Sequence, residues 1–437
     1  MHNRNLEYSN RANQLIPGGA HTYSKGEDQF PSNAPKIIER GLGSTLWDVD
    51  GNQYTDLAMS LGTVILGHAY EPVLEAVRRE LVKGVNFCRP SIIEGQLAEL
   101  LVDAIPSAEM VKFGKNGSDA VTAATKLARA YTGRKYIVRC QDDAFNAIHD
   151  WFIGSTVMNS GIPAETMALT LKFKYNDLAS CEKLFAEHPG EIACVLLEPI
   201  SMEAPKDDFL SSLKLLCEKN GALLIFDEVV SGFRFALGGV QEMTGVTPHI
   251  SAFGKAMANG FSVSALVGQR EFMSLGGLEH KKERLFLLST THGGETHSLA
   301  AAIATINEIK RCNAIEHFWK IGNLLIEGVR GAAKDVGADK FIEAIGYGVK
   351  PGFIFKDESG DISMPMRTLF LQETIKRGLL MPYVVPSLAH DVKIIERAVE
   401  SIREALVVMK KAGESGVNGI LGAIDGPTVK PVFRKFN

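Results

Sequence analysis

The sequence has no basic excess. Lys and Arg number 47 against 51 Asp and Glu in 437 residues, a formal net charge of −4. That balance excludes the clustered positive footprint of a nucleic-acid binder. No apolar run approaches the roughly 18 residues of a membrane span. The first residues, Met1-His2-Asn3-Arg4-Asn5, lack the apolar stretch of a secretory leader. Cysteines are few and scattered, at 88, 140, 181, 194, 217 and 312, with no C-x-x-C pair. Such spacing predicts reduced thiols and argues against a disulfide framework or a metal site. Repeats and low-complexity segments are also missing. Against these absences, 45% hydrophobic and 22% charged residues give an ordinary globular composition. A soluble, cytoplasmic protein with no nucleic-acid or membrane partner is the expectation.

Helical periods alternate with short apolar runs. Leu74, Val77 and Leu81 are spaced for one helical face, as are Leu97, Leu100, Leu101 and Ala104. Tyr136 to Val138, Ala193 to Leu197 and Ala222 to Phe226 read as buried strands separated by helices. This alternation predicts an α/β fold, with a mostly parallel sheet covered on both faces. Leu46 to Tyr54 reads as a hairpin about Asp50-Gly51, Gly346 to Phe355 as a strand region, and Asp391 to Ala412 as a long amphipathic helix. The expected organisation is a large α/β domain over residues 61–311. A smaller α+β domain is built from 1–60 and 312–437. The tail from Pro427 to Lys435 reads as an extended segment packed along a subunit.

In open α/β sheets, ligands bind outside the carboxyl ends of strands. Three predicted strands run into polar residues there: Glu198-Pro199, Asp227-Glu228, and Gly254-Lys255 after His249 to Phe253. Any one alone reads as a helix-capping carboxylate or a surface lysine. Together they describe one pocket. A fourth piece, Gly114-Lys115-Asn116-Gly117-Ser118-Asp119-Ala120, opens a helix with Ala120, Ala123, Ala124, Leu127 and Tyr131 on one face. Ser118 reads as its N-cap, and its start as an anion site suited to phosphate. The motif matches neither G-x-x-x-x-G-K-[ST] nor G-x-G-x-x-G, so nucleotide readings lose their usual support. A phosphate site, a carboxylate and a lysine at strand ends suit pyridoxal phosphate. The lysine holds its aldehyde as a Schiff base, and the carboxylate keeps its ring nitrogen protonated.

With these residues in place, the sequence resembles the class III (ω-type) aminotransferases of fold type I. Within them it is most similar to the glutamate-1-semialdehyde 2,1-aminomutases. The similarity runs through Ile16-Pro17-Gly18-Gly19, Ile38-Glu39-Arg40-Gly41, Leu46 to Asn52, Gly67-His68-Ala69 and Leu127 to Arg134. It continues through Leu197-Glu198-Pro199, Asp227-Glu228-Val229, Gly232-Phe233-Arg234, Gly254-Lys255 and Ser387-Leu388-Ala389-His390. The resemblance implies Lys255 as the Schiff-base lysine and proton shuttle, Asp227 on the pyridine nitrogen, and Val229 against one ring face. It also implies Gly117 and Ser118 at the phosphate and Glu198 near the cofactor hydroxyl. Thr291 would reach the phosphate of a neighbouring subunit, which makes the expected assembly a homodimer with shared active sites.

Departures gather at the substrate end. The family's Tyr-His-Gly, whose ring stacks on the cofactor, is Phe145-Asn146-Ala147 here. The aminomutase Ser-Pro-Val-Arg aligns with Thr22-Tyr23-Ser24-Lys25, so a bidentate arginine gives way to a point charge. Gly-Asn-Pro after the phosphate threonine is Gly294-Glu295-Thr296, and the aminomutase glutamate aligns with Pro382. The stretch from Ile153 to Tyr175 is shorter than an aminomutase gating loop, which must retain an intermediate between half-reactions. These features point to a transaminase. Glutamate is the default donor, and His21, Tyr23, Lys25, His292 and Glu295 suit a polar, carbohydrate-derived carbonyl acceptor. The alternatives are the aminomutase, another pyridoxal phosphate isomerase, and a non-catalytic binding protein that kept the fold.

Overall fold

In the computed structural model, which describes residues 4–436, Glu71–Ile315 make up most of one unit and residues 4–70 with 316–434 the other. The first is built on a seven-stranded sheet: β1 (Met110–Gly114), β2 (Tyr136–Cys140), β3 (Thr170–Phe173), β4 (Ile192–Leu197), β5 (Leu223–Asp227), β6 (Ile250–Phe253) and β7 (Ser264–Gly268). Their spatial order is β1-β7-β6-β5-β4-β2-β3. Strands β3, β2, β4, β5 and β6 pair in parallel, while β7 runs antiparallel to both β6 and β1. Every residue of β4, β5, β6 and β7 is buried, as unbroken apolar strands covered on both faces should be. The sheet is therefore mixed. Its reversed strand β7 and both edge strands, β1 and β3, lie outside the segments the apolar pattern picks out, β3 falling within the stretch from Ile153 to Tyr175 that reads as a loop.

Four helices matter for the site: α1 (Glu71–Leu81), α2 (Ile92–Ala104), α3 (Gly117–Thr132) and α4 (Thr296–Arg311). The face of α1 differs from the expected one. Val73 and Val77 are buried, Leu74 is only partly covered, and Leu81 is 46% exposed. Positions 73 and 77 are one helical turn apart, whereas 74 is rotated by about 100° from 73. The side of α1 that meets α4 is the valine side. The opening of α3 also differs. Asn116 is its N-cap, and the Asp119 carboxylate accepts the N–H groups of Lys115 and Asn116 at 3.0 and 2.8 Å. Ser118 sits inside the first turn, released from capping.

The other unit carries the antiparallel strands Ile38–Leu42, Thr45–Asp48 and Gln53–Asp56, extended in parallel by Leu379–Leu380. A hairpin joins Ile342–Tyr347 to Lys350–Phe355. Helices Met364–Lys376 and Val392–Gly413 supply Leu369, Phe370, Ile402, Leu406 and Met409 to the core around Phe341. The tail through Arg434 packs within this unit. Val429 is buried and its N–H donates to Thr368 Oγ1 at 3.0 Å, Lys430 N donates to Asp28 O at 2.9 Å, and Arg434 pairs with Asp28 at 2.6 Å. Among the described residues no helix is long and apolar enough to cross a membrane, and no group of side chains could hold a metal ion.

His390 staples this unit together. It is fully buried; Nε2 donates to the Asp56 carbonyl at 2.9 Å, and Nδ1 accepts the Ser387 N–H at 3.0 Å. A second proton would set Nδ1–H against Ser387 N–H, and burial disfavours the charge by more than the Asp56 carbonyl and carboxylate favour it. The imidazole therefore titrates below its ordinary range. A depressed histidine pKa means the unfolded chain binds the proton first. The neutral ring's contribution is thus complete above about pH 6.5 and is lost as pH falls below it. His390→Gln should melt lower at every pH, yet lose less of its melting temperature than wild type between pH 7 and 5. Parallel thermal melts across that range test this.

Candidate active site

Because β2, β4, β5 and β6 are parallel neighbours, their carboxyl ends share one edge of the sheet. Glu198 follows β4, Asp227 ends β5, and Lys255 follows β6 after Gly254. Two reversals beyond β6 return β1 to the same direction, which brings Gly117 and Ser118 at the start of α3 to this edge as well. The four pieces found in the sequence are thus assembled by topology.

Val229 is the hinge of the arrangement. A Cβ built on Gly117 would lie 2.7 Å from Val229 Cγ1, and one on Gly254 would lie 3.6 Å from the same methyl. The phosphate-loop glycine and the residue before the lysine therefore both face this side chain. Its N–H in turn donates to Asp227 Oδ1 at 3.1 Å. Gly117 has no room for a side chain, which explains its type without any special backbone angle. Lys255 is a non-glycine residue at φ 41°, opening a one-turn helix Lys255–Ala258. Backbone in that region costs on the order of 1–3 kcal/mol and survives where the surroundings enforce it.

Asp227 is 6% exposed. Burial pushes its carboxyl up to about 6, and the Glu198 charge adds to that; the Asn146 amide, the Val229 N–H and the Lys255 ammonium draw it down. The Asn146 Nδ2 group donates to Asp227 Oδ2 at 3.0 Å. Ser118 Oγ accepts the Ile148 N–H at 3.2 Å, so its own proton is available to an anion at the helix start. These residues fit pyridoxal phosphate: a buried carboxyl for the ring nitrogen, a lysine beside it, a valine floor, and a glycine-serine helix start for the phosphate. Phe145 is half exposed and meets Phe152 edge-on at 5.7 Å.

The remaining predicted residues fall into two groups. Thr291 is exposed, with its carbonyl accepting Asn86 Nδ2 at 2.8 Å. Glu295 is an ion-pair centre: Lys115 Nζ lies at 2.7 Å and His292 Nδ1 at 2.8 Å. Hydrogen bonding from Lys115 holds this carboxyl below its usual range. Lys115 also donates to Ser298 Oγ at 3.2 Å. His21, Tyr23 and Lys25 belong to the other unit, exposed on a short turn over Tyr23–Lys25. Within the stretch from Ile153 to Tyr175, the one-turn helix Ala164–Met167 and the strand β3 account for eight residues, and the rest after Ile153 is turn and irregular chain.

Sequence reasoning passed over Asp143. It follows β2 at the same sheet edge, is 5% exposed, and accepts the Glu198 N–H at 3.0 Å. The strand-end rule that singles out Glu198 and Asp227 would have found it, had the loop after Cys140 been read as part of the edge.

Gly117→Ala should drive a methyl into Val229 and cost about 1–3 kcal/mol, the usual range for overpacking. Titration of apoprotein with pyridoxal phosphate should show weaker binding, and Val229→Ala in the same chain should recover most of it.

Comparison with known proteins supplies the context. The class-III aminotransferase family model matches residues 24–348. A glutamate-1-semialdehyde 2,1-aminomutase of Roseiflexus castenholzii (strain DSM 13941 / HLO8) is 33% identical over 433 residues, spanning 93% of this chain and 97% of its own. The FumI protein of Sphingopyxis sp. MTA144, solved in its PLP internal aldimine form, superposes with a TM-score of 0.86 at 27% identity. It covers 94% of this chain and 98% of its own. An omega-transaminase from Sphaerobacter thermophilus gives 0.83 at 26%, over 93% and 98%.

Proposed function

The chain belongs to the class-III aminotransferases, which use pyridoxal phosphate, and from that premise we propose a ping-pong transaminase. It takes an amino group from an amino-acid donor, glutamate, and gives it to a polar, carbohydrate-derived carbonyl acceptor. The observation that carries the cofactor side is the shared floor at Val229, touched by the phosphate-loop glycine and by the residue before Lys255, with Asp227 one hydrogen bond away.

The cofactor, when bound, supplies an electron sink for a carbanion at the carbon bearing the amine. In this reading Lys255 Nζ anchors it between turnovers and, once displaced, moves the proton between the two carbons of the exchange. Asp227 holds the ring nitrogen's proton. Gly117 and Ser118 bind the phosphate through N–H and hydroxyl groups, and Glu198 stands on the hydroxyl side. Phe145 offers a stacking face without the hydroxyl of a tyrosine. Thr291 serves a neighbour's phosphate, and its exposure within one chain supports a homodimer. Six cysteines without a disulfide suit a cytoplasmic setting.

On the substrate side, Lys25 in place of an arginine, Pro382 in place of a glutamate, and the short segment 153–175 support a transaminase over a mutase. A lost arginine fork costs about 1–3 kcal/mol in transition-state binding, or roughly 5- to 150-fold in rate. The aminomutase is kept as the second reading because of the 33% identical relative. Glutamate should bleach the cofactor's visible band and release 2-oxoglutarate, while glutamate semialdehyde should yield little 5-aminolevulinate. Efficient 5-aminolevulinate formation would give the mutase reading the site. Bleaching by another amino acid and not by glutamate would move the donor.

For the assembly, inactive Lys255→Ala and inactive Thr291→Ala chains should regain activity when subunits exchange. Each heterodimer then holds one site with both residues intact. Verified heterodimers with no activity would mean that every chain completes its own site.

A further inference from the structure

The edge that carries the cofactor residues also carries a buried polar pair with no part in the scheme above. Asp143 follows β2, the neighbour of β4, so Asp143, Glu198 and Asp227 stand at the ends of three adjacent strands. Between the first and the last lies the Asn146 carboxamide, 4% exposed. Its Nδ2 is 3.0 Å from Asp227 Oδ2 and 3.4 Å from Asp143 Oδ2. Asp143 Oδ2 also accepts the Glu198 N–H. The loop is fixed from beneath by Arg139, buried, whose Nη1 donates to the Cys140 carbonyl at 2.7 Å and reaches the Asp143 carbonyl at 3.5 Å. Two oxygens here, Asp143 Oδ1 and Asn146 Oδ1, are buried with no hydrogen-bond partner among the described residues.

Resting on the assignment of Asp227 to the ring nitrogen, we propose that Asn146 is the positioning residue for Asp227, and that Asp143 aims Asn146. The carboxamide spends its two N–H bonds on two carboxyl groups from different strands. This fixes the plane of Asp227 and leaves Oδ1 to the Val229 N–H. A buried amide does not remain in an orientation that orphans its own oxygen unless both of its hydrogens are held. Asp143 supplies the second hold.

The charges agree. Burial first, then the Glu198 and Asp227 charges, raise the Asp143 carboxyl well above the usual range. Such a shift favours the uncharged form, the form that adds no repulsion to Asp227. The groups facing the pair are Glu198 from β4, Lys255 beyond β6, which faces Asp227, and Arg139 on β2. Asn146 occupies the position where the family motif has a histidine. In this chain the donor to Asp227 at that position is an amide, and Asp143 takes its second N–H.

The test uses the full chain, stripped of cofactor and titrated with pyridoxal phosphate. Asn146→Leu keeps the shape and removes both N–H bonds. It should weaken binding about 10- to 100-fold at pH 7, the range for a lost hydrogen bond to a charged group. The ratio to wild type should grow from pH 8 to pH 6, because Asp227 without its donor takes up a proton at higher pH. Asn146→His restores one donor and should recover most of the loss. Asp143→Asn, neutral and of the same shape, should stay within about threefold, while Asp143→Leu should follow Asn146→Leu. Asn146→Ala takes the place of the leucine variant if that chain does not fold. Binding within twofold of wild type, or a deficit that is the same at pH 6 and pH 8, would make Asn146 a packing residue and overturn the proposal. Asp227→Ala is the control for the premise. If that variant alone leaves affinity unchanged, the ring-nitrogen assignment is what has failed.

Discussion

A carboxylate that has to work without water is the constraint on which the site depends. Asp227 ends a strand with every residue buried, and moving an unpaired charge into such a place costs several kcal/mol. The neighbouring chemistry is a set of offsets to that cost: one amide N–H at 3.0 Å, one backbone N–H at 3.1 Å, and a lysine from the next strand. None of them abolishes the upward shift. The result is a group poised near 6, which a cationic ring nitrogen would return to full charge. A site already satisfied would gain little from that cation, whereas one left partly unpaid binds it strongly.

Strand order makes those offsets possible. Lys255, Asp227, Glu198 and Asp143 follow β6, β5, β4 and β2, consecutive neighbours in the sheet. Parallel strands run about 4.8 Å apart, and their register sets Leu197 against Phe226 and Asp227 against Ala252, so the residues that end or follow them share one edge. The antiparallel β7 closes the lysine side. With β7 and then β1 beside it, the edge also receives the start of α3. Val229 ties the two ends together, and the smallness of Gly117 follows from that contact.

Much of this was legible because buried parallel strands announce themselves as unbroken apolar runs, and because their ends are where polarity returns. Leu197-Glu198, Phe226-Asp227 and Phe253-Gly254-Lys255 are all of that kind. Strands β1 and β7 escaped because Met110–Gly114 is only partly buried and carries Lys112, while Ser264–Gly268 is five small and apolar residues without a distinct period. The buried face of α1 is ambiguous in the sequence, since a helix with valines at 73 and 77 and leucines at 74 and 81 offers two overlapping stripes. Ser118 reads as a cap because serine caps well; Asn116, two residues earlier, is the cap, with Asp119 in reach. Asp143 was hidden by the polar run Gln141-Asp142-Asp143, which reads as loop until the fold buries its third residue.

The two ends of the site are built on different physics. At the cofactor end, groups are buried and each is fixed by a neighbour, so identity follows from contact. At the other end, His292 is exposed, and Glu295 has its charge balanced within the chain by Lys115 at 2.7 Å. A cationic substrate would have to compete with that lysine for Glu295, and an anionic one with Glu295 for the lysine. A neutral, hydroxylated substrate faces neither penalty, since it can add hydrogen bonds to both members without separating them. A pair of this kind is therefore better matched to hydrogen bonding with a neutral group than to binding a charged one.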